Sequence, residues 1–279
     1  MKNKTDYQFI NNSKQTYPLI VLVALGLYGL IFFNQVLAPG WMPVGDSGNA
    51  VAWVSYQFSS FARGEFPLWD PTVMAGNTSF IAQAILLGPI ANIVIFTSVL
   101  LGLNDIVLAY AIWVYVLIVI YVVGVYLLIF LWTKNRGPAC YGAIVTLFSS
   151  SVFLAHFQIT YLMIIYCVPL IIYSSIRYFE KFKFKYLICF LLSVIPFLYS
   201  YEFVMPLSFL LLLVVTGVVF YYKSINIKSL IKIPTFHIIF SMLTLAIAVL
   251  PQALVYFDMM SGFSLPSENR VEGGEFKIT

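Results

Sequence analysis

Stretches of some twenty apolar residues recur along this chain, and no other feature narrows its fold as far. A bilayer's hydrocarbon layer, about 30 Å thick, takes about 20 helical residues to cross. Candidate spans fall at 18–39, 81–101, 106–132, 139–155, 158–176, 186–201, 203–222 and 236–257. Lipid offers backbone N–H and C=O groups no water, so such stretches cross as helices. The chain is 61% hydrophobic and 9% charged, and its mean hydropathy is +0.94, more apolar than a soluble domain of this length requires. The expectation is an all-α polytopic membrane protein.

The first run, Pro18 to Pro39, follows a mostly polar segment, 1–17, that carries Lys2, Lys4 and Lys14. It is too long for a signal-peptide core and lacks a small-x-small cleavage site, so it reads as an uncleaved span. Cys140, Cys167 and Cys189 are odd in number and widely spaced within or beside apolar runs. That pattern offers neither a disulfide framework nor zinc spacing.

The basic residues orient the spans. With the amino terminus cytoplasmic and 81–101 not crossing, the cytoplasmic side collects Lys2, Lys4, Lys14, Lys134, Arg136, Arg177, Lys181, Lys183, Lys185, Lys223, Lys228 and Lys232. Only Arg63, Arg270 and Lys277 remain outside. A crossing at 81–101 turns the nine middle charges outward, against the tendency of Lys and Arg to stay in the cytoplasm. Segment 81–101 also holds Gln83, Asn92 and Gly88-Pro89, and proline mid-helix frees backbone groups. It reads as a helix in or dipping into the outer leaflet, the alternative being a true span whose freed backbone groups are compensated by packing. Seven transmembrane helices follow within a membrane module, 18–257. The amino terminus is inside, and the carboxyl terminus and the tail 258–279 are outside.

This leaves a long first external loop, 40–105. Its residues 47–63 place Val51, Val54, Phe58 and Phe61 on one helical face and Asn49, Tyr56, Ser60 and Arg63 on another. That is an amphipathic helix suited to the membrane surface, with 81–101 as a second surface helix. Between them, Pro67 and Pro71 in "GEFPLWDPTVMAGN" impose turns, and Trp41, Trp53 and Trp69 suit the aromatic belt at the interface.

Asp46 opens this loop region in "PVGDSGNA". A carboxylate at the outer end of a span is as readily a solvated boundary residue as a functional one, since an interfacial charge costs little. Flanking Gly45 and Gly48 allow a tight turn or close approach by a ligand. The echo of a serine-protease motif in Gly45-Asp46-Ser47-Gly48 has neither the β-barrel scaffold nor the partners that a triad needs. The chain has two histidines; His237 opens the last span on the cytoplasmic side, and His156 stands at a tight external turn. Glu65 reads as a surface charge, and Asp70 sets an Asp-Pro turn or faces a ligand. Arg63 snorkels from the surface helix, pairs with Glu65 or reaches a phosphate. His156 and Gln158 either close a hydrogen-bonded turn or line an external cavity, and Glu202 has the same two readings.

Three stretches resemble the amino-terminal seven-span module of GT-C class glycosyltransferases, and more closely the YfhO-like bacterial membrane proteins. They are "GDSGNAVAWVSYQFSSFARGEFPLWDPTVMAGN", "FSSSVFLAHFQITYLMIIYCVPLIIYSSIRYFEK" and "SYEFVMPLSFLLLLVV". The block "GEFPLWDP" is the most distinctive, and the resemblance covers about residues 15 to 225. It implies an inverting transfer of sugar from a polyprenyl-phosphate carrier to a cell-envelope glycan or glycopolymer at the outer face. Asp46 would be the general base. Arg63, Trp69, Asp70, His156, Gln158 and Glu202 would be substrate-binding residues. The partners implied are the lipid-linked sugar, the glycan acceptor and membrane lipid, with no nucleic acid. Neither metal nor cofactor is expected, since Asp-x-Asp and His-x-x-x-His spacings are missing and monosaccharide-transferring relatives generally work without metal.

Relatives of this kind continue for many hundreds of residues, whereas "SGFSLPSENRVEGGEFKIT" reads like the opening of another external loop. The expectation is therefore an enzyme or its truncated amino-terminal module, with a second polypeptide as the source of a missing half. The rivals are a non-enzymatic membrane protein (a transporter or lipid-handling subunit) and an inactive remnant. Against transport, the spans hold almost no midplane charge, and the acids collect at the external face.

Overall fold

The computed structural model describes residues 4–41, 46–64, 88–103, 105–149, 162, 165–198, 215, 233–247 and 250, with side chains omitted at 4–15, 46–49, 88–89 and 196–198. These residues form eight helices and no strand. We number them α1 (Lys4–Val36), α2 (Asp46–Ala62), α3 (Gly88–Leu100), α4 (Ile106–Thr133), α5 (Arg136–Leu147), α6 (Val168–Lys181), α7 (Phe184–Leu198) and α8 (Thr235–Ile247).

Two of them are long and apolar enough to cross a membrane, over Thr16–Val36 of α1 and Ile106–Thr133 of α4. The α1 helix begins well before the apolar run, at Lys4, and passes through Pro18. It stops at Val36 rather than Pro39, because the chain turns through Gly40 at φ 83°. Val21, Leu25, Phe32 and Val36 are buried along one stripe, whereas Leu22, Val23, Leu27, Leu30 and Ile31 are exposed. Only 28% of this span is buried. A soluble core helix hides its apolar surface, whereas much of this one is open, which is compatible with a helix that crosses a membrane.

The hub is α4, packed against α1, α2, α3, α5 and α6. Its buried residues, from Ala109 through Trp113, Leu117 and Val122 to Leu131, lie on several faces. Small residues admit its neighbours. A Cβ on Gly124 would stand 3.1 Å from Pro169 Cβ and 3.2 Å from the Leu170 backbone nitrogen of α6. On α1, the backbone at Gly29 lies against the ring of Tyr115, whose hydroxyl donates to the Leu25 carbonyl at 2.8 Å. Close approach at small residues is how helices associate where lipid competes for apolar contact.

Helix ends are capped locally. Asp105 Oδ1 accepts from Val107 N at 2.8 Å and Leu108 N at 3.1 Å, satisfying two free donors of α4. Asp105→Ala is expected to lower stability by about 1 kcal/mol and Asp105→Asn by much less, read from thermal unfolding in detergent. The α4–α5 and α6–α7 turns are tight, and both use a left-handed residue that is not glycine: Lys134 at φ 55° and Phe182 at φ 49°. Near the second turn, Tyr178 Oη lies 3.0 Å from Nδ1 of the buried His237 and so ties α8 to the α6–α7 hairpin. Burial raises the Tyr178 phenol above its ordinary pKa, which keeps that hydroxyl protonated.

Candidate functional site

The α2 helix decides what the first loop can do. Its buried residues, Ala50, Trp53, Val54, Gln57 and Phe58, recur at i, i+3, i+4, i+7 and i+8. They face α3 and α4, and Phe61 meets Phe96 of α3 edge-on at 5.5 Å. The amphipathic helix expected over 47–63 thus exists, one residue displaced, but protein rather than lipid covers its apolar face. Two side chains depart from expectation for that reason. Ser60, assigned to the polar face, is 2% exposed, and Trp53, assigned to the aromatic belt, is buried. Trp41 packs on Tyr110 of α4, with ring centroids 6.0 Å apart.

Asp46 is the first residue of α2, just after the turn that ends α1. Its side chain lies outside the described residues. Two consequences follow from the backbone position alone. A carboxylate at a helix start is favoured by the positive end of the helix dipole. It also stands where an Asp oxygen can accept from the first free N–H groups, which is a purely structural use.

Arg63 follows the other end of α2, exposed, in a turn closed by Arg63 N to Ser59 O at 3.2 Å and Gly64 N to Phe61 O at 3.0 Å. At 1.5 Å rise per residue, Asp46 and Arg63 are about 25 Å apart along the axis. They therefore do not converge on one phosphate or one sugar ring. The other expected substrate-binding residues, Trp69, Asp70, His156, Gln158 and Glu202, lie outside the described residues.

Beside the carboxyl-terminal end of α1 is an open groove of about 500 Å³, lined by Leu30, Phe33, Asn34, Leu37, Ala38 and Pro39. Its lining is apolar except for Asn34, and the turn after Pro39 leads on toward the start of α2. An apolar groove with one amide, close in the chain to a carboxylate, suits a ligand that is part hydrocarbon and part polar.

Sequence reasoning did not foresee the buried polar side chains. Gln57 is fully buried on α2, Asn92 Oδ1 is buried, and so is Trp113 Nε1, two turns into α4. Gln57 was traceable, because it continues the stripe of Ala50, Trp53 and Val54. Among the described residues, no three His, Cys, Asp or Glu side chains come together to hold a metal. Cys140 and Cys167 are free and buried, and Cys189 is free and half-buried. No protein-family model, no curated protein and no solved structure matches this chain.

Proposed function

We propose that the chain is a GT-C-like membrane glycosyltransferase, or the amino-terminal module of one, in the cell membrane. In this reading the chain crosses seven times with the amino terminus in the cytoplasm and Asp46 outside, which the distribution of its basic residues supports. The donor is a sugar on polyprenyl phosphate and the acceptor is a cell-envelope glycan. Asp46 takes the proton of the acceptor hydroxyl as that oxygen attacks the anomeric carbon. The lipid phosphate leaves from the opposite face, so the anomeric configuration inverts.

The observation that supports this reading most is the setting of Asp46. Asp46 is the first residue of a helix, where a negative charge is favoured, and it follows in the chain a helix long and apolar enough to cross a membrane. The test is to incubate the purified full chain with synthetic polyprenyl-phosphate sugars and envelope glycan. Free polyprenyl phosphate and an inverted glycosidic linkage are expected together. Donors left intact across the common hexoses would reject the reading of this chain as an enzyme active on its own.

The helix-start position favours a second reading too, in which Asp46 caps α2 and the protein handles lipid without catalysis. Stability measurements on Asp46 variants separate the two.

A further inference from the structure

The end of the bundle remote from Asp46 concentrates cations and aromatic rings for which sugar transfer has no use. The α4–α5 turn, the α6–α7 turn and the start of α8 meet there. Leu131 of α4 packs against Ile176 of α6, and His237 of α8 stacks on Phe184 of α7 with ring centroids 5.5 Å apart. This end lies at the carboxyl-terminal end of α4, about 40 Å along the helix from its start at Ile106.

Lys134, Lys181, Lys183 and Lys185 are exposed here, and Arg136 and Arg177 are half-buried. Glu180 is the one acid among the described side chains of this end, and it pairs with Arg177 at 3.0 Å. Six cations thus face one carboxylate. Three of the cations lie over rings: Arg136 over Phe130 at 5.7 Å, Arg177 over Tyr173 at 5.9 Å and Lys185 over Tyr186 at 5.2 Å. Beside them Trp132 is 47% exposed and Phe236 is 62% exposed. Large rings open to the surroundings, with cations folded onto neighbouring rings, suit the boundary between hydrocarbon and headgroups. The α5, α7 and α8 helices also begin at this end, and helix N-termini favour phosphate.

We propose that this end of the bundle is a docking surface for the headgroups of anionic phospholipids. Charge complementarity selects that occupant, because an unbalanced positive surface fringed by exposed Trp and Phe matches a negatively charged leaflet. A zwitterionic lipid would meet the rings and bring no net negative charge to balance the cations. The surface is independent of the glycosyltransferase reading and would act equally in a transporter.

The experiment uses the full chain reconstituted in phosphatidylcholine vesicles that contain either dibrominated phosphatidylglycerol or dibrominated phosphatidylcholine. Quenching at this end is the difference between the wild-type protein and Trp132→Phe. The expected result is an association constant at least about five-fold higher for the anionic lipid, the ratio that one well-placed cation supplies. Salt at about 0.5 M should bring that ratio close to one, and so should the triple substitution K181Q/K183Q/K185Q. Equal quenching by the two lipids would overturn the proposal. So would a preference that survives salt, which tests the unsubstituted protein directly.

Discussion

Asp46→Asn is expected to lower sugar transfer by about 10²- to 10⁴-fold, the usual contribution of a general base, with an unchanged unfolding midpoint. The substitution is informative because Asn caps a helix about as well as Asp does. It removes the proton acceptor and keeps the acceptor oxygen for the N–H groups at the start of α2. Asp46→Ala removes both, so it should lose transfer to the same extent and a further ~1 kcal/mol of stability. Asp46→Glu retains a carboxylate one methylene away and should transfer at an intermediate rate. If Asp46 only caps α2, the order changes: Asn behaves as wild type in every measurement, and Ala alone is destabilised.

The largest loss of stability is expected from Gly29→Leu, about 3 kcal/mol, with Gly26→Leu as its control. The two glycines stand one turn apart on α1 and meet different surroundings. A Cβ on Gly29 would lie 2.9 Å from Tyr115 Oη and 3.0 Å from its ring, and that hydroxyl is engaged by the Leu25 carbonyl. The ring cannot swing aside without losing the bond or its contact with Phe33, whose centroid is 5.4 Å away. Overpacking such a contact costs about 1–3 kcal/mol, and the lost hydrogen bond adds about 1 kcal/mol. A Cβ on Gly26 would meet no other part of the protein within 4 Å. Leucine there should be neutral or stabilising by about 1 kcal/mol, since glycine is a poor residue for a helix interior. Unfolding in mixed micelles of graded denaturing-detergent content reads both variants. Similar losses for the two would mean that α1 does not pack on α4 through Gly29.

What was legible in the sequence follows from how each feature is encoded. The α1 and α4 helices announce themselves, since a run of some twenty apolar residues has one stable form in lipid. The apolar face of α2 was legible through its spacing, but its partner was not. Val54 and Phe58 look the same whether lipid or α3 and α4 cover them, so the burial of Ser60 and Trp53 went unseen. The turns at Lys134 and Phe182 were located by charge, although left-handed conformations are more usual for glycine. The separation of Asp46 from Arg63 was implicit in the helix between them. Resemblance assigned both residues to one site, whereas the rise of α2 sets them apart. The pairing of Tyr178 with His237 joins positions far apart in the chain, and no local pattern encodes it.

Catalysis at the outer leaflet requires Asp46 and the basic turns to lie on opposite sides of the membrane. Single cysteines in a background without Cys140, Cys167 and Cys189 test this in intact cells with a membrane-impermeant maleimide. Ala38→Cys lies in the exposed turn after α1, and Lys183→Cys in the exposed α6–α7 turn. The expected result is labelling of position 38 in intact cells and of position 183 only after permeabilisation. Labelling of 183 from outside, with 38 protected until the membrane is opened, would contradict an external Asp46 and the chemistry assigned to it.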